Sequence, residues 1–168
     1  MRDGRRTVDR MRLSLLDLAV ALAVGGLLLV ALTRCGDAGS VAAVLASPVL
    51  TPGVLNPDVT QSTIATTICV HGWTRTIRPP SSYTSSLKRE QMAAYAMPGS
   101  PSDYQEDHLI SLELGGHPTD PRNLWPQPYP RAGQIDVIEN ELNDSVCAGR
   151  LTLAEAQRRE ATLKHEHG

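Results

Sequence analysis

From Gln134 onward the apolar positions recur at helical spacing. Ile135, Ile138, Leu142 and Val146 share one face, and Asp136, Glu139, Asn140 and Asn143 line another. Gly149 can close this helix, and Thr152-Leu153-Ala154-Glu155 reads as a capping box that opens a last amphipathic helix. Upstream the texture differs. Tyr104 to Leu114 alternates polar and apolar near its end, as a strand does, and Gly115-Gly116 forces a turn. Asp120-Pro121-Arg122-Asn123 is a second turn, and the prolines of Leu124-Trp125-Pro126-Gln127-Pro128 exclude a helix there. Leu87 to Tyr95 reads as a helix with Ser85 or Ser86 as its cap, after an extended or turning stretch over Arg78-Pro79-Pro80-Ser81-Ser82. Thr60 to Val70, mostly β-branched, fits a short strand or a turn of helix, and residues 36 to 60 read as a linker.

The N-terminus carries a different pattern. Basic residues from Arg2 to Arg12 precede the apolar run Leu18 to Leu32, interrupted at its start by Asp17. The run is long for the apolar part of a signal peptide and slightly short for a membrane span of about 20 residues. Residues 1–35 are therefore expected to be a signal peptide or membrane anchor, oriented N-in by the preceding arginines. Residues 36–58 follow as linker and 59–168 as an exported domain. Val44-Leu45-Ala46 offers small residues for cleavage, and an uncleaved anchor is the alternative. Arg34 before Cys35 fits poorly with a lipidation site.

Composition narrows the class. Of 168 residues, 41% are apolar and 20% charged, which is globular rather than disordered. Phe is absent and aromatics total 4%, so a core must rest on Leu, Ile, Val and Ala. The formal net charge of −2 hides an asymmetry: beyond Arg34 there are ten basic and fifteen acidic residues, net −5. The overall field of that part does not attract polyanions.

Export permits disulfides, and Cys69 and Cys147 are the two cysteines beyond the leader, so a Cys69–Cys147 bridge is expected; two buried free thiols are the alternative.

The chemistry concentrates in one segment: Asp107-His108, a short apolar stretch, Gly115-Gly116, a loop, Asn123-Leu124, then the polar-faced helix. This order resembles the HNH nuclease family, in which two short strands and a helix clasp one divalent metal. The run Asp107 to Gly116 with Asn123-Leu124-Trp125-Pro126 is similar to a version carried by small exported proteins, and the likeness covers about residues 104 to 147. It implies an α+β fold with a small ββα-metal core and flanking helices. It also implies Asp107 as a metal ligand, His108 as general base and Asn123 as a brace that orients His108. The helix would supply the remaining ligand from Asp136 or Asn140, with Glu139 behind them. Tyr129-Pro130-Arg131-Ala132-Gly133 lengthens the connection to that helix, and the cysteine pairs that flank many such motifs are absent.

The residue types suit phosphodiester hydrolysis. A neutral imidazole, of pKa near ~6.5, can take a proton from water near neutral pH. A hard dication on carboxylate and amide oxygens can neutralise charge on the phosphate and on the leaving oxygen. Adjacent strand residues point to opposite faces, so Asp107 and His108 need a twist, bulge or loop to serve one site. The expected cofactor is one Mg2+ or Mn2+, with Zn2+ as the alternative; the expected partner is DNA or RNA, and the membrane where the leader is retained. Arg75, Arg78 and Arg122 are candidate phosphate contacts, with Lys88 and Arg89 adding local positive charge and Trp73 beside the first pair. An ordinary surface is the plainer reading of the Trp73 region. Trp125 reads as a core plug, Glu106 and Glu113 as exposed, and His165-Glu166-His167 as a frayed tail. No role is assigned to His71 or His117, and no protein partner can be inferred. The competing function is a non-catalytic exported or membrane-anchored binding or structural domain that keeps the scaffold.

Overall fold

The computed structural model describes residues 44–168. The expected leader, Cys35 and the first part of the expected linker lie outside the described residues. Among the described residues no helix is long and apolar enough to cross a membrane.

The fold is α+β. Helices α1 (Trp73–Ile77) and α2 (Ser81–Ala94) precede strand β1 (Tyr104–His108). A loop with short 3-10 turns at Leu112–Leu114 and Pro121–Asn123 leads to β2 (Leu124–Pro128), then α3 (Arg131–Cys147) and α4 (Leu153–His167). The strands form a two-stranded antiparallel sheet in which Asp107 pairs with Trp125 and His108 with Leu124. Pro126 and Pro128 are tolerated because each strand has a free edge.

The main core joins Val59, Ile68, Ile110, Leu114, Val146, Leu153 and Ala156, with Leu142 and Trp73 packed against it. A second cluster sets Leu109 and Ala46 against Trp125, which is fully buried, a core plug as its type suggested. Cys69 and Cys147 are bridged, with Cα atoms 5.5 Å apart, tying the segment before α1 to the end of α3.

Several expected boundaries move. The alternation expected to continue as a strand to Leu114 ends at His108: the Asn123 side chain takes the backbone N–H and carbonyl of Ile110, and Leu112–Leu114 tightens into a 3-10 turn. Helix α2 begins at Ser81 rather than near Leu87: Pro79-Pro80 fixes an extended entry, and Pro80, not Ser85 or Ser86, occupies the cap. Helix α3 begins at Arg131, so residues 131–133 are helix and not an added connection. Thr60–Val70 is turns with one 3-10 segment, Ile64–Thr66, and no strand.

The expected linker is, from residue 44 on, part of the folded unit. Ala46, Thr51, Asn56 and Val59 are buried. Gly53 N–H donates to Arg122 O, Asn56 N–H to Gly115 O, and His117 N–H to Val54 O, so this segment staples the loop between the strands. The C-terminus is not frayed. Helix α4 runs to His167, His165 Nε2 lies 3.0 Å from Thr51 O, and Arg131 Nε donates to His167 O. Thr152 caps α4 as expected by accepting from Glu155 N–H, while the Glu155 carboxylate pairs with Arg159.

Candidate active site

Asp107 and His108 close β1, and both line one pocket of about 280 Å³ with Asp136, Glu139 and Asn140 of α3. Asp107, Asp136 and Glu139 present oxygens that all lie within 4.8 Å of one another. Asp136 and Glu139 are three residues apart and so share a helix face over the strand end. Asn140 lines the same pocket, its amide donating at 2.7 Å to Asp136 O on the preceding turn. Glu139, the rearmost of the expected helix candidates, is thus a member of the carboxylate cluster.

His108 is almost fully buried, and its Nε2 lies 3.0 Å from Pro118 O. A carbonyl only accepts, so Nε2 carries the hydrogen and Nδ1 keeps the lone pair when the ring is neutral. Burial holds the ring's pKa below the ordinary histidine value. The Pro118 bond and Asp107 oppose that effect, and Lys164 and Arg78 reinforce it. Burial thus favours the neutral form of the ring.

Asn123 is fully buried and braces the loop at four points. Its amide donates to Ile110 O and His117 O, both at 3.0 Å, and its Oδ1 accepts from Ile110 N–H and Val54 N–H. It makes no bond to His108; it fixes His117, whose neighbour Pro118 holds the ring. His117 has a role that its sequence context did not show: Nδ1 accepts from the N–H groups of Thr119 and Asp120 and shapes the turn.

A buried residue that the motif does not contain ties two of these carboxylates together. Lys164 of α4 is fully buried. Its ammonium donates to Asp107 Oδ2 at 2.8 Å, to Glu139 Oε1 at 2.6 Å and to the carbonyl of His108, and lies 3.3 Å from Glu160 Oε1. Glu160 is also fully buried and accepts from Ser111 N–H at 2.9 Å. The sequence does hold a signal for this pair. The buried face of α4 is Leu153, Ala156, Gln157, Glu160 and Lys164, and its last three members are polar at core spacing. Gln157 and Asn143 complete the bracing by donating to Leu114 O and Glu113 O.

Carboxylates outnumber cations here. Burial raises the pKa of Glu139 and Glu160 well above the glutamate range, with Lys164 opposing. Burial raises Asp136 too, and Asp107 adds to the effect. Burial alone would lower Lys164, but Asp107, Glu160 and Glu139 more than offset it and keep the ammonium charged. Asp107, Asp136 and Glu139 offer convergent oxygens of the kind that hold a dication, and the His108 ring lines the same pocket. Ser111, 4% exposed, lines the same pocket, and its hydroxyl has no hydrogen-bond partner among the described residues.

Two expected exposures are corrected. Glu113 lines the pocket half-buried, its pKa raised by burial against the pull of Arg78. Glu106 is half-buried on the other face of β1 with both carboxylate oxygens shielded and unpartnered, because that face is covered by α2. Of the candidate phosphate contacts, Arg78 reaches the pocket. Arg75 is exposed and Arg122 is engaged by Asp120 at 2.7 Å; neither lines the pocket. Lys88 donates to Tyr104 O and so serves the fold. Trp73, half-buried against the core, is not an open platform. Neither a family model nor a curated protein nor a solved structure matches the chain.

Proposed function

We propose that the chain is a metal-dependent phosphodiesterase of HNH type, with a ββα core over residues 104–147, acting on DNA or RNA. One observation carries the reading: a neutral, buried imidazole and three convergent carboxylates share one pocket at the junction of two antiparallel strands and the following helix. Asp107, Asp136 and Glu139 would hold a Mg2+ or Mn2+ ion, which when bound supplies positive charge to the scissile phosphate and the leaving oxygen. His108 Nδ1 takes the proton of the attacking water, and its Nε2–H bond to Pro118 fixes the ring plane and tautomer. Asn123 keeps the loop, and with it Pro118, at the right height. Arg78 stands at the rim where a phosphate enters. The disulfide supports the exported location, since such bonds persist in oxidising compartments.

A second reading has its own support. Lys164 already sits on two of the three carboxylates, so the scaffold can stand as a non-catalytic module with an internal cation. Incubating the full chain with supercoiled plasmid and Mg2+ or Mn2+, alongside Asp107→Ala, separates the two. Nicking by the wild type that the variant loses by a factor of 100 or more is expected. Intact plasmid at every metal concentration favours the module.

A further inference from the structure

Lys164 lies outside the strand–strand–helix unit, yet its ammonium reaches both the strand that carries His108 and the helix that carries Glu139. It binds Asp107 through Oδ2 and Glu139 through Oε1; among the described residues, Asp107 Oδ1 and Glu139 Oε2 receive no hydrogen bond. Each carboxylate is thereby left with one oxygen to offer. Ca2+ takes six to eight oxygens and often grips a carboxylate by both, whereas Mg2+ needs compact octahedral geometry with single oxygens and waters.

We propose that Lys164 is a positioning residue that makes Asp107 and Glu139 single-oxygen donors, so that the pocket selects a small octahedral dication over calcium. The inference rests on the metal-dependent reading above. It assigns to the C-terminal helix a specificity role that the motif residues do not have. Glu160, itself held by Ser111 N–H, lies 3.3 Å from the Lys164 ammonium.

The test is calorimetric titration of the full chain with Mg2+ and Ca2+ separately, repeated on Lys164→Met and on Glu160→Gln. The wild type is expected to bind Mg2+ at least as tightly as Ca2+. Lys164→Met is expected to shift the Mg2+/Ca2+ affinity ratio toward Ca2+ by tenfold or more, and Glu160→Gln by less than threefold. A purely structural lysine would change both affinities together and leave the ratio alone. Tighter Ca2+ binding by the wild type, or an unchanged ratio in Lys164→Met, overturns the proposal and leaves the nuclease reading standing. Absence of any divalent binding overturns both. Should Lys164→Met not fold, Lys164→Gln takes its place in the same titrations, and an unchanged Mg2+/Ca2+ ratio there overturns the proposal.

Discussion

At the scale of single residues, the polar groups that the fold buries decide its chemistry. Glu106 is one whose neighbours give it no hydrogen bond. Burial raises its pKa to about 8, with Lys88 opposing and Asp107 adding. The sign follows from linkage. The folded state holds a proton that the unfolded state releases near pH 4.5, so the stability contribution is complete below that pH and is lost as pH rises through about 8. Glu106→Gln should therefore raise stability at pH 9 by on the order of 2 kcal/mol, discounted from the full shift for partial solvent access, and change it little at pH 5. Urea midpoints at the two pH values check this, and an equal effect at both contradicts it. Asp107, Asp136 and His108 were legible in the sequence as chemistry-bearing types at suggestive spacing. Glu106 and Glu113 were not, because a carboxylate on a short strand or loop carries no mark of which face will be covered. Lys164 was hidden for a related reason: its three partners come from β1, α3 and one turn back on its own helix, and only their meeting gives it meaning.

Among the elements, the loop between the strands is the one on which the site depends, since Asn123, Gln157, Asn143 and Glu160 all bond its backbone. Its tightest point is Gly116, where an added Cβ would lie 1.7 Å from Ile110 O and 2.7 Å from the Asn123 amide nitrogen. Both obstacles belong to the brace itself and cannot step aside. Gly116→Ala should destabilise the fold by roughly 3 kcal/mol or more and displace the loop that holds His108. Thermal unfolding measures this, and a wild-type Tm would refute the brace. The Gly pair announced a turn, and β2, α3 and α4 were legible from proline and from the 3.6-residue period. Their starts were less so. Pro80 and Pro130 preset the entries of α2 and α3 earlier than the apolar spacing indicated, because a first helical turn needs no buried side chain.

For the whole molecule, the segment before α1 has little regular structure and is fastened by staples. The Cys69–Cys147 bridge closes a loop across 78 residues, which in the chain-entropy picture stabilises by roughly 4 kcal/mol. Reduction, or the double change Cys69→Ser with Cys147→Ser, should lower the urea midpoint accordingly; an unchanged midpoint would show that the core alone suffices. Residues 44–58 read as linker because they lack periodicity, yet Thr51 and Ala46 are buried through irregular packing and backbone bonds that no period reports. The chemistry proposed for the pocket is a buried imidazole acting beside a carboxylate-held dication. Its most direct measurement is the rate of plasmid nicking by the wild type and by His108→Ala, each at saturating Mn2+ with binding of the ion verified separately. A loss of about 10²–10⁴-fold with Mn2+ affinity preserved is predicted. Equal rates in the two proteins would contradict the role given to His108 and, with it, the proposed chemistry of the pocket.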